Sequence, residues 1–218
     1  MLVFPLQVTD LSRVLSIKLK DNEISLLCKL LDTELSKWTK QEIITIIALS
    51  GSPLAVEKLN KLLTSDDIEM KLAALEGSSI LGREEILTDL LKLMDDKNEQ
   101  TAASAIKAPG HFKNKEQIVD ILINKLVTTK SNEIVESFID ALAKTANKKA
   151  VPVIIDILHL TDCTLRSNRD VISAAIMALE ELGDRRAIEA LEDLQYNRTD
   201  DPGLQLKAQD ARLKIIQG

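Results

Sequence analysis

Few side chains in this sequence are suited to covalent or acid-base chemistry. Its two histidines, His111 and His159, are the only imidazoles available as bases near neutral pH. His111 lies at a Pro109-Gly110 break and His159 near the end of an apolar stretch, and neither has a partner close by in sequence. A surface position or a helix C-terminus accounts for both rings. The two thiols, Cys28 and Cys163, are far apart and show no CxxC spacing. They read as buried reduced cysteines, not as zinc ligands or a disulfide. The carboxylate pairs Asp66-Asp67, Asp95-Asp96 and Asp200-Asp201 fall where helix caps explain them. Arg166, Arg169, Arg185 and Arg186 concentrate positive charge near Asp170 and Asp184. Ion pairs between neighbouring segments are the reading there, with binding of an anion or acidic partner the alternative. No phosphate loop, dinucleotide fingerprint, HExxH pair or nucleophile elbow is found in the chain. The expectation is a non-catalytic protein without metal or cofactor.

The elements that carry these residues follow from composition and periodicity. Apolar residues make up 45% of the chain and charged residues 28%, enough for a packed core under a solvated surface. Aromatic residues are only 2%, so the core must be built from Leu, Ile, Ala and Val, which suits packed helices. With 7 Gly and 5 Pro in 218 residues, the frequent turns of an all-β sandwich are missing. A net charge of −6 argues against a nucleic-acid binder, whose affinity rests on Lys and Arg neutralising phosphates. Apolar runs such as Ile43 to Leu49 and Val151 to Leu160 fall well short of the ~20 residues a membrane span needs. Met1 to Leu6 lacks the basic start of a signal peptide and meets Pro5 at once. A cytoplasmic protein is expected.

The sequence also repeats. Its clearest unit runs from Val171 to Leu194 and reads as helix, tight turn, helix. In the first helix Val171, Ala174, Ala175, Ala178, Leu179 and Leu182 share one face by their three- and four-residue spacing. Gly183 follows where a helix commonly ends in the left-handed conformation, and Asp184 can cap the next helix. Equivalent breaks fall at Gly51, Gly82, Lys113 or Asn114, and Ala146, at separations of roughly 31 to 37 residues. After each break the apolar template returns, as in Ala55, Leu59 and Leu63 or Ala187, Ile188, Leu191 and Leu194. Thr39-x-x-Glu42, Asp66-x-x-Glu69 and Ser167-x-x-Asp170 are the expected starts of first helices, and Ser52-Pro53 that of a second. The organisation is therefore one domain over 1–218. It has a degenerate helical cap at 1–38 (helices at about 10–19 and 22–36), about five repeats over 39–197, and a closing helix within 198–218.

Ala178-Leu-Glu-Glu-Leu-Gly-Asp-Arg-Arg-Ala-Ile-Glu-Ala-Leu191 resembles the short HEAT-like repeat of the phycobilisome-lyase type. The match is moderate over Leu75 to Leu90 and weaker over Ile47 to Leu59 and Ala141 to Ile154. The third unit departs most, with its Ala-rich first helix stopped at Pro109. The resemblance implies an all-α fold, a right-handed α-α superhelix of two-helix repeats whose second helices line a concave groove. It also implies a binding scaffold for another protein, with self-association as a further option. Some relatives of this pattern are bilin lyase subunits or phycobiliprotein-associated chaperones, which is the alternative function.

The groove has a candidate apolar centre. The stretches Ile118 to Ile123 and Val151 to Ile155 are apolar nearly all round, where one polar face is expected. Val153, with either Val119 and Ile123 or Ile121 depending on register, is expected to face the groove. Deeper burial is the competing reading. The charged rim is expected to include Lys58, Lys61, Asp89, Lys92, Asp156, Glu189 and Asp193.

Overall fold

The structure, a computed structural model, describes residues 19–112, 115–129 and 131–218. The expected helix over 10–19, apart from its last residue, and the expected break at Lys113 or Asn114 lie outside the described residues. Within them the chain forms twelve α-helices and no strand. Contacts cluster it into two units, 1–93 and 94–218.

In the first unit the helices are α1 (Asp21–Leu30), α2 (Lys37–Leu49), α3 (Pro53–Leu63), α4 (Ile68–Leu81) and α5 (Leu87–Leu93), the last entered through a 3-10 turn at Glu84–Ile86. α2 and α4 lie side by side as first helices, and α3 packs on α4, α1 and α5. The core is built at helical spacing from Ile43, Ile44, Ile47 and Ala48 on α2 and, as the repeat template predicts, from Ala55, Leu59 and Leu63 on α3. Gly77 on α4 marks the closest approach, because a Cβ there would stand 2.8 Å from Ile44 Cγ2 and 3.1 Å from Leu59 Cδ2.

In the second unit α6 (Glu99–Lys107) runs into a 3-10 turn at Ala108–His111, followed by α7 (Lys115–Leu126) and α8 (Asn132–Lys144). Next come α9 (Val151–Leu160), α10 (Arg169–Leu182), α11 (Ile188–Asp193), a π-helical turn at Leu194–Arg198, and α12 (Pro202–Gln217). First helices α6, α8, α10 and α12 stack in a row, each against the next. The second helices α7, α9 and α11 pack mainly on the first helix of the following repeat, against α8, α10 and α12. No pair could bury its apolar stripe alone, so each repeat completes its core with its neighbour.

The breaks behave as the repeat demands. Gly51, Gly82 and Gly183 adopt φ of 63°, 58° and 59°, and Ala146 takes the same left-handed conformation at 53°. Only the last carries a Cβ into that region, at a cost of about 1 kcal/mol. The caps need some correction. α2 starts at Lys37 under Ser36, whose Oγ accepts from Thr39 N at 3.1 Å, so Thr39 is inside the helix. Asp67, not Asp66, caps α4 through Glu69 N and Met70 N. α10 follows a 3-10 turn at Arg166–Asn168 and has no side-chain cap, so Ser167 does not cap it. Ser52 and Asp201 cap α3 and α12 directly before a proline.

Polar ties recur at the repeat spacing. Arg83 donates to Gly51 O at 3.0 Å and Arg186 to Lys148 O at 2.9 Å, each joining one inter-helix turn to the preceding one. Ser131 bonds Glu99, Arg169 pairs with Asp201 at 2.7 Å, and Lys214 pairs with Glu180. The arginine cluster is in this respect structural: Arg169 and Arg186 are engaged in ties between repeats. Asp201, held by Arg169, and Asp184, held by Arg186, both have pKa lowered to about 2.

Candidate functional site

The second helices of the second unit carry most of the predicted surface. On α7, Ile118, Val119 and Leu122 are fully buried, whereas Ile121 and Ile123 are half-buried. Val119, at 0% exposure, is a core residue and not a groove residue. The reason is register: α7 turns Ile118, Val119 and Leu122, spaced as one helical face, toward the core. On α9, Val151, Ile154 and Leu158 form the buried face, while Val153, Ile155 and Ile157 are half-buried and Asp156 and His159 are exposed.

Between α9 and α11 lies an open cleft of about 490 Å³, walled by Ile155 and His159 on one side and by Arg186, Glu189, Ala190 and Asp193 on the other. Asp193 Oδ1 accepts from Asn197 Nδ2 at 2.9 Å, and Glu189 is exposed. The Arg186 guanidinium is held by Asp184 at 2.9 Å, Glu192 by Arg212 at 2.6 Å, and Asp193 lies 3.9 Å from Arg198, so the cleft rim is of mixed charge. Lys149 closes a 2.5 Å pair with Asp120 of α7 beside the start of α9.

In the first unit Lys61 and Lys92 are exposed and Asp89 pairs with Lys92 at 2.8 Å. Lys58 departs from expectation: it is only 8% exposed and its ammonium bonds Asp32 at 2.8 Å. Its aliphatic stem is packed and its charge is matched within the chain, so it is not a free rim cation.

Sequence reasoning missed the role of Arg198. From the π-helical turn its guanidinium donates to Leu158 O at 2.6 Å, His159 O at 2.7 Å and Thr161 O at 3.1 Å, covering the C-terminal carbonyls of α9. Those carbonyls have no partner within their own helix. No motif signals this contact, which joins residues about forty positions apart in the chain. Arg212 similarly reaches Glu192 at 2.6 Å and lies 5.8 Å from the centroid of the Tyr196 ring.

The thiols show no sign of activation. Both are free, and burial raises the pKa of Cys28 and Cys163. Cys163 Sγ donates to Thr161 O at 3.3 Å. His159 is exposed at the cleft rim, and His111 ends the 3-10 turn after α6 with its side chain outside the described ones. Among the described residues no group of three or more His, Cys, Asp or Glu could hold a metal ion, and no helix is long and apolar enough to cross a membrane. What the surface offers is an apolar strip beside a charged cleft, an arrangement suited to binding.

Comparison with known proteins agrees with this architecture. Residues 24–108 match the family model for HEAT repeats. An engineered protein of known crystal structure is 23% identical with a TM-score of 0.53, covering 90% of this chain and 97% of that one. Such a likeness shows the HEAT-like solenoid fold. The complex of CpcE and CpcF of phycocyanin lyase from Nostoc sp. PCC7120 is 15% identical with a TM-score of 0.48, covering 90% of this chain and 83% of that one. No curated protein matches at the sequence level.

Proposed function

We propose that this chain is a binding scaffold that receives another protein on the second-helix face of residues 94–218. One observation carries the reading: α9 leaves Val153, Ile155 and Ile157 half-buried and Asp156 exposed, and Ile155 lines a cleft that Glu189 and Asp193 also line. Apolar area at the centre of such a surface contributes affinity, and the charges at its rim tune encounter and specificity. HEAT repeats suggest a helical scaffold, and a rigid stack of helices presents such a face without ordering cost.

The test is capture from an extract of the native host by wild type, by Asp156→Lys/Glu189→Lys and by Val153→Asp, each checked for unchanged helicity and melting. A protein held by wild type and lost from the folded charge-reversed variant supports the reading. Equal capture by all three, or none by wild type, overturns it. The bilin alternative implied by the repeat resemblance is separated by a visible-absorption titration with a free linear tetrapyrrole, where a saturable spectral shift with wild type would favour it.

A further inference from the structure

We propose that residues 94–218 associate with a second copy of this chain through the connection between α9 and α10, Leu165 of each copy entering a cleft of the other. The inference stands apart from the second-helix reading, because it uses the edge of the stack where one repeat passes to the next.

The starting observation is a connection longer than the repeat needs. The left-handed turn residues Gly51 and Gly82 stand 31 positions apart, whereas Ala146 and Gly183 stand 37 apart. Most of the excess falls in residues 161–168, which link α9 to α10 with eight residues where four, 64–67, link α3 to α4. This length is not slack. Asp162 Oδ1 accepts from Thr164 N at 2.9 Å and from Thr164 Oγ1 at 2.7 Å, and Asn168 Nδ2 donates to Asp162 O at 3.0 Å. The repeats on either side hold it too, since Asn132 Nδ2 donates to Ser167 O at 3.3 Å and Arg198 to Thr161 O at 3.1 Å. Yet the fixed segment follows directly on Leu160, which is 86% exposed, and carries Leu165, which is 52% exposed. A loop already ordered while it presents leucine to water is suited to contact, because binding has little further ordering to impose on it.

Leu165 stands at an open cleft of about 460 Å³, with Arg166 on its own wall, Asp200 on the wall opposite, and buried Cys163 and Leu204 as apolar lining. Arg169 and Asp201 neutralise each other there at 2.7 Å. Arg166 and Asp200 are exposed and are paired with nothing among the described residues. Charge then selects the occupant. One free cation and one free anion leave no net charge to draw a partner of either sign, but they complement themselves under a two-fold rotation. Arg166 of each copy then meets Asp200 of the other, and both pairs form in one isologous contact around the leucines.

A contact of loop size falls below the roughly 1,200 Å² of stable complexes, so the dimer is a weak one. Sedimentation equilibrium of the full chain at low salt, over about 10 to 500 μM, reads it. Wild type should show a monomer-dimer equilibrium. Arg166→Asp and Asp200→Arg each set like charges against one another at both pairs, and each should weaken association at least about tenfold. An equimolar mixture of these two variants brings opposite charges together again and should dimerise within about threefold of wild type. Leu165→Ser should weaken association about tenfold. Asp156→Lys/Glu189→Lys should dimerise as wild type does, so failure of the second-helix reading is scored separately. Circular dichroism of each variant establishes that it is folded. A wild-type monomer throughout, single variants within about twofold of wild type, or a mixture no stronger than its components overturns the proposal.

Discussion

Replacing Arg198 by alanine removes three charged hydrogen bonds from the end of α9. The donors lie 2.6, 2.7 and 3.1 Å from the carbonyls of Leu158, His159 and Thr161. Water can replace the guanidinium at exposed His159 and half-buried Thr161, so those two bonds contribute little net stability. Leu158 is a fully buried residue, and a buried acceptor left unmade costs about 1 to 3 kcal/mol. Loss of a cation at a helix C-terminus adds about 0.3 to 1 kcal/mol. The expected destabilisation is therefore about 2 to 3 kcal/mol, or a fall of about 5 to 10 °C in the melting temperature of a chain of this size. Arg198→Lys should recover less than half of it, since an ammonium is a point charge and cannot span three acceptors with a planar fork. Urea denaturation at neutral pH followed by circular dichroism gives the value. A loss under about 0.5 kcal/mol, the range of ordinary surface substitutions, would refute the argument that this side chain closes α9.

Ala146→Gly should stabilise the protein by up to about 1 kcal/mol, because it relieves an exposed left-handed alanine at a break that glycine occupies elsewhere; thermal melting measures it. Gly77→Ala should destabilise despite the helix-propensity gain of about 1 kcal/mol, since its Cβ would meet the β-branched Ile44 at 2.8 Å and overpacking costs about 1 to 3 kcal/mol; a raised urea midpoint would contradict this. Asp184 and Asp201 titrate at about 2 in the folded chain, below their ordinary value of 3.8. The unfolded chain therefore takes up protons first as pH falls, and the stability these groups contribute is full above about pH 4 and lost toward pH 2. Urea midpoints across that window should drop less steeply in Asp184→Asn/Asp201→Asn than in wild type.

Much of the architecture was legible because it is local. The spacing of Val171, Ala175, Ala178 and Leu182 defines a buried face whatever the helix meets, and a break at Gly51, Gly82 or Gly183 is a property of the backbone there. Position 146 could be read despite its alanine, since its place in the repeat predicts the turn that its side chain disfavours. Helix starts were read to within a few residues: Ser36, not Thr39, caps α2, because two hydroxyls three residues apart can each serve as the cap.

The surface was legible only in part. An apolar stretch such as Ile118 to Ile123 states that several side chains avoid water but not which of them the neighbouring helix covers, and the packing of α7 on α8 put Val119 in the core. Lys58 looked like a rim cation until the fold brought Asp32 to its ammonium. Arg198 carried no signal at all. Periodicity along one helix decides which residues that helix will bury, because it depends only on the geometry of a single element. Whether a charge is paired or a carbonyl is closed depends on residues about thirty to forty positions away, and only the stacking of one repeat on the next brings them together.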